Sequence, residues 1–106
     1  MKHKLFEKHQ FVANFLAKFE NAYKDLDLGN KDETHQFIAN KLELTKPSFQ
    51  MLRSEYDGFY EFRKGLPNPY ERKSRVECKE KYDKISFENY INLVKKVLQN
   101  PEINLD

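Results

Sequence analysis

The chain is poor in the residues that build disulfide-bonded, turn-rich or membrane-spanning proteins. Cys78 is its sole cysteine. One thiol makes neither a disulfide framework nor a cysteine zinc site, and it suits a reducing, cytoplasmic setting. Its neighbour Lys79 is too generic to mark the thiol as reactive, because a reactive thiolate needs a defined base or positive pocket. Three glycines and four prolines are few for 106 residues, and valine is scarce, which argues against a turn-rich β fold and for an all-α class. No long apolar run occurs, so neither a transmembrane helix nor a signal peptide is expected. Charge is nearly balanced at +2, and any attraction to a polyanion must come from local clustering. His3, His9 and His35 are not spaced as a ligand set. No glycine-rich phosphate loop or Ser-His-acid pattern stands out, and no cofactor is expected.

What the chain does have is aromatic mass and helical periodicity. Nine Phe and six Tyr bury much area per residue and give a small domain a core. Apolar spacing of three and four runs nearly end to end, which reads as one compact bundle of about five helices over residues 1–100, with 101–106 a frayed tail or the start of a linker. Residues 4–26 read as one long helix with a stripe of Leu5, Val12, Phe15, Leu16, Phe19, Ala22, Tyr23 and Leu26, and with Lys4, Glu7, Lys8, Asn14, Lys18 and Asn21 on a solvated side. Acids at Glu7, Glu20 and Asp25 interrupt the basic face, against a membrane-surface role. Asn30 and Glu33 form a capping-box-like start for a second helix that runs to Lys41 or Leu42. A fourth helix is expected from Ser74 or Arg75 to Lys84, burying Val76 and Tyr82, and a fifth from Ser86 to Pro101.

The stretch from Phe37 to Tyr60 carries the functional signal. It reads as helix, tight turn, helix, with Thr45 as an N-cap, Pro47 in the first turn and Gly58 as a stop. The spacing Ile-Ala-x-x-Leu-x-Leu-Thr-x-x-Ser-Phe-x-x-Leu resembles a DNA-binding helix-turn-helix, and an ordinary helical hairpin packed by the same apolar residues is the alternative. Glu43 stands where glycine is usual in the turn, so a wider turn is expected. With Phe49, Leu52 and Tyr56 inward, the outer face offers Pro47, Ser48, Gln50, Met51 and Ser54, flanked by Lys46 and Arg53. Glutamine can bond an adenine edge, methionine can lie on a thymine methyl, and the cations can reach guanine or phosphate. Glu55 and Asp57 offset those cations, so phosphate contact is assigned to the basic loop through Arg63, Lys64, Arg72, Lys73 and Arg75. Pro67 and Pro69 keep that loop from being a regular helix.

Three segments resemble a known family: Phe15-Leu-Ala-Lys-Phe; Leu44-Thr-Lys-Pro-Ser-Phe-Gln-Met-Leu-Arg-Ser-Glu-Tyr-Asp; and Arg63-Lys64-Gly65 with Arg72 and Ser74-Arg75, leading into Ile85-Ser-Phe-Glu-Asn-Tyr. Their order is similar to that of the helical N-terminal module of bacterial restriction-type proteins, including modification-dependent HNH endonucleases, over roughly residues 11–98. Leu66 departs from the tryptophan common there. The resemblance implies a module that binds double-stranded DNA, with any catalysis in a separate nuclease domain or partner protein.

Two other readings stay open. One is a helical protein-interaction module, with Met51 as a sticky point and the basic loop meeting an acidic partner. The other is a metal-dependent nuclease. Val76-Glu77-Cys78-Lys79 spells hydrophobic-Glu-x-Lys with Asp57 upstream, a set able to hold Mg²⁺ and assist a water, although such a site usually sits on strands.

Overall fold

The computed structural model describes residues 5–19, 21–57, 59–60 and 73–105, with side chains described from residue 76 onward in the last of these segments. Among the described residues there are six helices and no strand: α1 (Phe6–Lys18), α2 (Ala22–Leu26), α3 (Lys31–Lys41), α4 (Lys46–Asp57), α5 (Lys73–Tyr82) and α6 (Phe87–Gln99). None of them is long and apolar enough to cross a membrane.

The hub is α1. Every residue from His9 to Ala17 is buried, and α2, α4, α5 and α6 all pack on this helix. The solvated side expected for Asn14 is therefore absent. Tyrosine hydroxyls account for the difference, because a buried polar group is tolerated when its hydrogen bonds are made. Asn14 Oδ1 accepts from Tyr60 Oη at 2.6 Å, and its Nδ2 donates to Tyr90 Oη at 3.1 Å. Tyr90 Oη in turn donates to the Phe11 carbonyl at 2.7 Å. Gln10 Oε1 accepts from Tyr56 Oη at 2.6 Å, and His9 Nε2 donates to the Leu42 carbonyl at 2.6 Å. Aliphatic side chains make up most of the remaining core, and rings join its helices, with Phe11 in ring contact with Tyr82 at 4.6 Å and Tyr90 at 4.5 Å.

The single helix expected over 4–26 is two. At Phe19 the backbone turns extended (φ −108°, ψ 126°), and the ring packs against Phe87 at 5.0 Å and Phe15 at 5.4 Å. Helix resumes at Ala22 and stops at Asp27, which is left-handed at φ 54°. A gap of about one helical turn keeps the apolar stripe in phase. For that reason spacing alone could not reveal the break.

At the other end, Ser86 caps α6 by accepting from Asn89 N, and Tyr90, Ile91, Val94, Val97 and Leu98 are buried. Helix α5 starts a residue or two early, ends at Tyr82 rather than Lys84, and buries Cys78 with Tyr82 while Val76 is half-buried. Beyond Pro101, Ile103 and Leu105 lie part-buried against the core.

Candidate nucleic-acid interface

Local signals set the two helices of the candidate interface. Asn30 Oδ1 accepts from Glu33 N at 2.8 Å while Glu33 Oε1 accepts from Asn30 N at 3.1 Å, completing the capping box at the start of α3. Gly29 sits just before it at φ +106°, a conformation that suits a residue without Cβ. The exit from α3 is tighter than expected. Glu43 takes the left-handed conformation itself (φ 59°), and Leu44 N donates back to the Ala39 carbonyl at 2.9 Å. That is a Schellman closure with glutamate in glycine's place. Ala39, the small residue at this approach, is fully buried. Four residues then separate α3 from α4.

Thr45 opens α4 as expected. Its Oγ1 accepts from Ser48 N at 3.2 Å and donates to Ser48 Oγ at 2.8 Å. Phe49 and Tyr56 are fully buried and Leu52 half-buried, with α4 lying along α1. The outer edge shows Pro47, Ser48 and Met51 to solvent, Met51 at 59% exposure. Gly58 lies outside the described residues.

The polar residues around that edge are more engaged than their sequence suggests. Lys46 Nζ bonds Asp32 Oδ1 at 2.9 Å and ties the start of α4 to the first turn of α3. Exposed pairs of this kind contribute about 0–1 kcal/mol, so an incoming phosphate can compete. Gln50 Nε2 donates to His35 Nδ1 at 3.1 Å, and His35 Nε2 meets Tyr23 Oη at 2.7 Å. Burial, seconded by the Arg53 charge, pushes His35 down to about 4. The ring is thus neutral near pH 7, with Nδ1 accepting and Nε2 donating. Arg53 is turned inward onto Asp57 one helical turn away, with side chains only 14% and 4% exposed. Arg53 Nε and Asp57 Oδ1 have no hydrogen-bond partner there, and Glu55 is buried too. Ser54 is half-buried.

The loop residues Arg63, Lys64 and Arg72 lie outside the described residues. Lys73 and Arg75 fall in the first turn of α5, and their side chains lie outside the description as well. The two residues that sequence reasoning missed are His35 and Tyr23, which hold Gln50 in place. The available signal was a histidine on α3 set to meet a glutamine on α4 across a tight turn.

The nuclease-like tetrad sits within α5, not on a strand. Glu77 shares a cleft of about 250 Å³ with Glu7, Cys78, Lys81 and Tyr82, while Lys79 Nζ lies 5.9 Å from the centre of the Phe59 ring. Glu7 Oε1 accepts from Lys81 Nζ at 2.8 Å and Tyr82 Oη at 2.7 Å, and those bonds hold its carboxyl below the usual range. Asp57, the other carboxylate of that reading, is committed to Arg53. Among the described residues no group of three or more His, Cys, Asp or Glu side chains gathers to hold a metal ion. Comparison with family models, curated proteins and solved structures finds no match to the chain.

Proposed function

We propose that this helical domain binds duplex DNA, with the outer edge of α4 in the major groove, as an accessory module of a restriction- or defence-type protein. The observation that carries the reading is the outward Pro47-Ser48-Met51 edge on a helix seated by a tight turn and a threonine cap. A slim, solvent-facing helix edge of this kind fits the groove, and Met51 can meet a thymine methyl there. Lys46 exchanges Asp32 for a phosphate, and Ser48 lies beside it on the first turn of α4. Gln50 reads through its amide while His35 steadies it. Arg53 serves as a strut within α4 and contributes its charge at longer range. The grip on the backbone falls to Arg63, Lys64, Arg72, Lys73 and Arg75.

The test is fluorescence anisotropy with a labelled random-sequence duplex across a salt series. About four neutralised phosphates give a log–log slope near −3 to −4. Met51→Glu places a carboxylate at the phosphate-lined groove and weakens binding about tenfold without lowering the melting temperature, since the side chain is exposed. Arg72→Ala with Arg75→Ala flattens the salt slope by about 2. Absence of binding at low salt ends the DNA reading, and Met51→Glu binding like the parent removes α4 from the interface.

A further inference from the structure

A second solvent-facing feature lies where α2, α3 and α6 meet. Leu26 and Leu28 from the α2 end, Phe37 from α3 and Leu98 from α6 line an open groove of about 300 Å³. Phe37 is 38% exposed, and among the described residues Met51 is the one other exposed large apolar side chain. Two cations flank this floor from different helices: Lys41, whose Nζ stands 5.7 Å from the centre of the Phe37 ring, and Lys95 on α6. Among the described residues no acidic side chain lines the groove.

We propose that this groove docks an acidic amphipathic helix from a partner protein. The partner's apolar residues, one helical turn apart, would sit on Phe37 and the leucines, and its flanking carboxylates would meet Lys41 and Lys95. The charge pattern selects the occupant. A phosphate backbone gains nothing from an apolar floor. A second copy of this chain, itself carrying a net +2, would bring the same two lysines face to face. The volume lies at the lower end for small-molecule sites, about 300–1,000 Å³, and the groove is open, as suits side-chain anchors better than an enclosed ligand. No residue of α4 lines the groove, so the proposal stands whether or not α4 binds DNA.

The experiment is a selection from a displayed library of helix-forming peptides on the full chain, followed by titration of synthetic winners. The expected winners pair apolar residues at helical spacing with flanking Asp or Glu. They bind about tenfold more weakly to Phe37→Ala, an anchor truncation, and to Lys41→Glu with Lys95→Glu, and they weaken with salt. All three positions are exposed, so the variants should keep the parent's melting temperature. The double lysine change still decides the question if the phenylalanine variant fails to fold. Three results overturn the proposal: no winner that depends on Phe37, winners that are basic or indifferent to lysine reversal, or self-association of the chain that Phe37→Glu abolishes.

Discussion

Replacing Asn14 tests the claim that α1 is the buried hub. Its side chain is fully buried and engages Tyr60 through one amide atom and Tyr90 through the other. Asn14→Ala deletes both bonds, at about 1 kcal/mol each. The space left by the amide adds about 1 kcal/mol. The expected loss is about 3 kcal/mol, a large share of the roughly 5–15 kcal/mol that holds a domain together. Urea unfolding followed by circular dichroism should show the midpoint shifted with the slope unchanged. A loss below about 1 kcal/mol would place Asn14 at the surface and refute the arrangement.

Asn14→Asp gives the same idea a pH signature. One carboxylate oxygen can still accept from Tyr60, but the other faces Tyr90 Oη, whose proton is committed to the Phe11 carbonyl. A buried charge without a second donor has its pKa raised. The folded state then holds the proton more tightly than the unfolded chain, so stability is present at low pH and lost as pH rises through the folded pKa. The variant should be markedly weaker than the parent at pH 7 and recover toward pH 4. A flat difference between the two proteins across that range would contradict the buried position.

Three further outcomes follow from local geometry. Glu43→Gly should raise stability by about 0.5–1 kcal/mol in thermal melting, because the left-handed turn then carries no Cβ penalty. His35, with its folded pKa depressed to about 4, should contribute stability that is fully present above its unfolded value near 6.5 and lost as pH falls toward 4, and His35→Gln should remove that part of the acid sensitivity in melts at stepped pH. Asp57→Ala leaves the Arg53 guanidinium inside without its partner and should cost about 3 kcal/mol, whereas Arg53→Met combined with Asp57→Leu should recover most of it in denaturant titrations.

The elements that could be read from the sequence are those whose signals are local. Asn30 with Glu33, Thr45 with Pro47, and Ser86 each announce a helix start through hydrogen bonds made within three residues, and each forms as expected. The stripes of α4 and α6 were equally plain, since Phe49 and Tyr56, or Tyr90 and Val94, repeat at helical spacing and are buried. The break at Phe19 was hidden because it depends on ring contacts with Phe87, distant in sequence. The turn at Glu43 was misjudged because the closing bond to Ala39 outweighs the modest cost of a non-glycine left-handed residue.

A single physical fact underlies both the misplaced face of α1 and the altered inventory on α4. Periodicity treats a polar side chain as solvent-facing, yet burial depends on whether a partner waits inside. Six tyrosines supply hydroxyls that the pattern scores as apolar bulk, and three of these, on Tyr56, Tyr60 and Tyr90, bond Gln10 or Asn14 on α1. On α4 the same rule acts on charge: Asp57 takes Arg53, and His35 takes one donor of Gln50. Glutamine and arginine suit base reading because they bond strongly and directionally, and that property also makes them good internal ties. A helix-turn-helix pattern therefore marks which residues can read DNA, while the tertiary partners decide which are left to do so. Under the proposed DNA-binding role, that accounting moves groove contact from Arg53 to Ser48 and Met51 and leaves phosphate contact with the cations between residues 63 and 75.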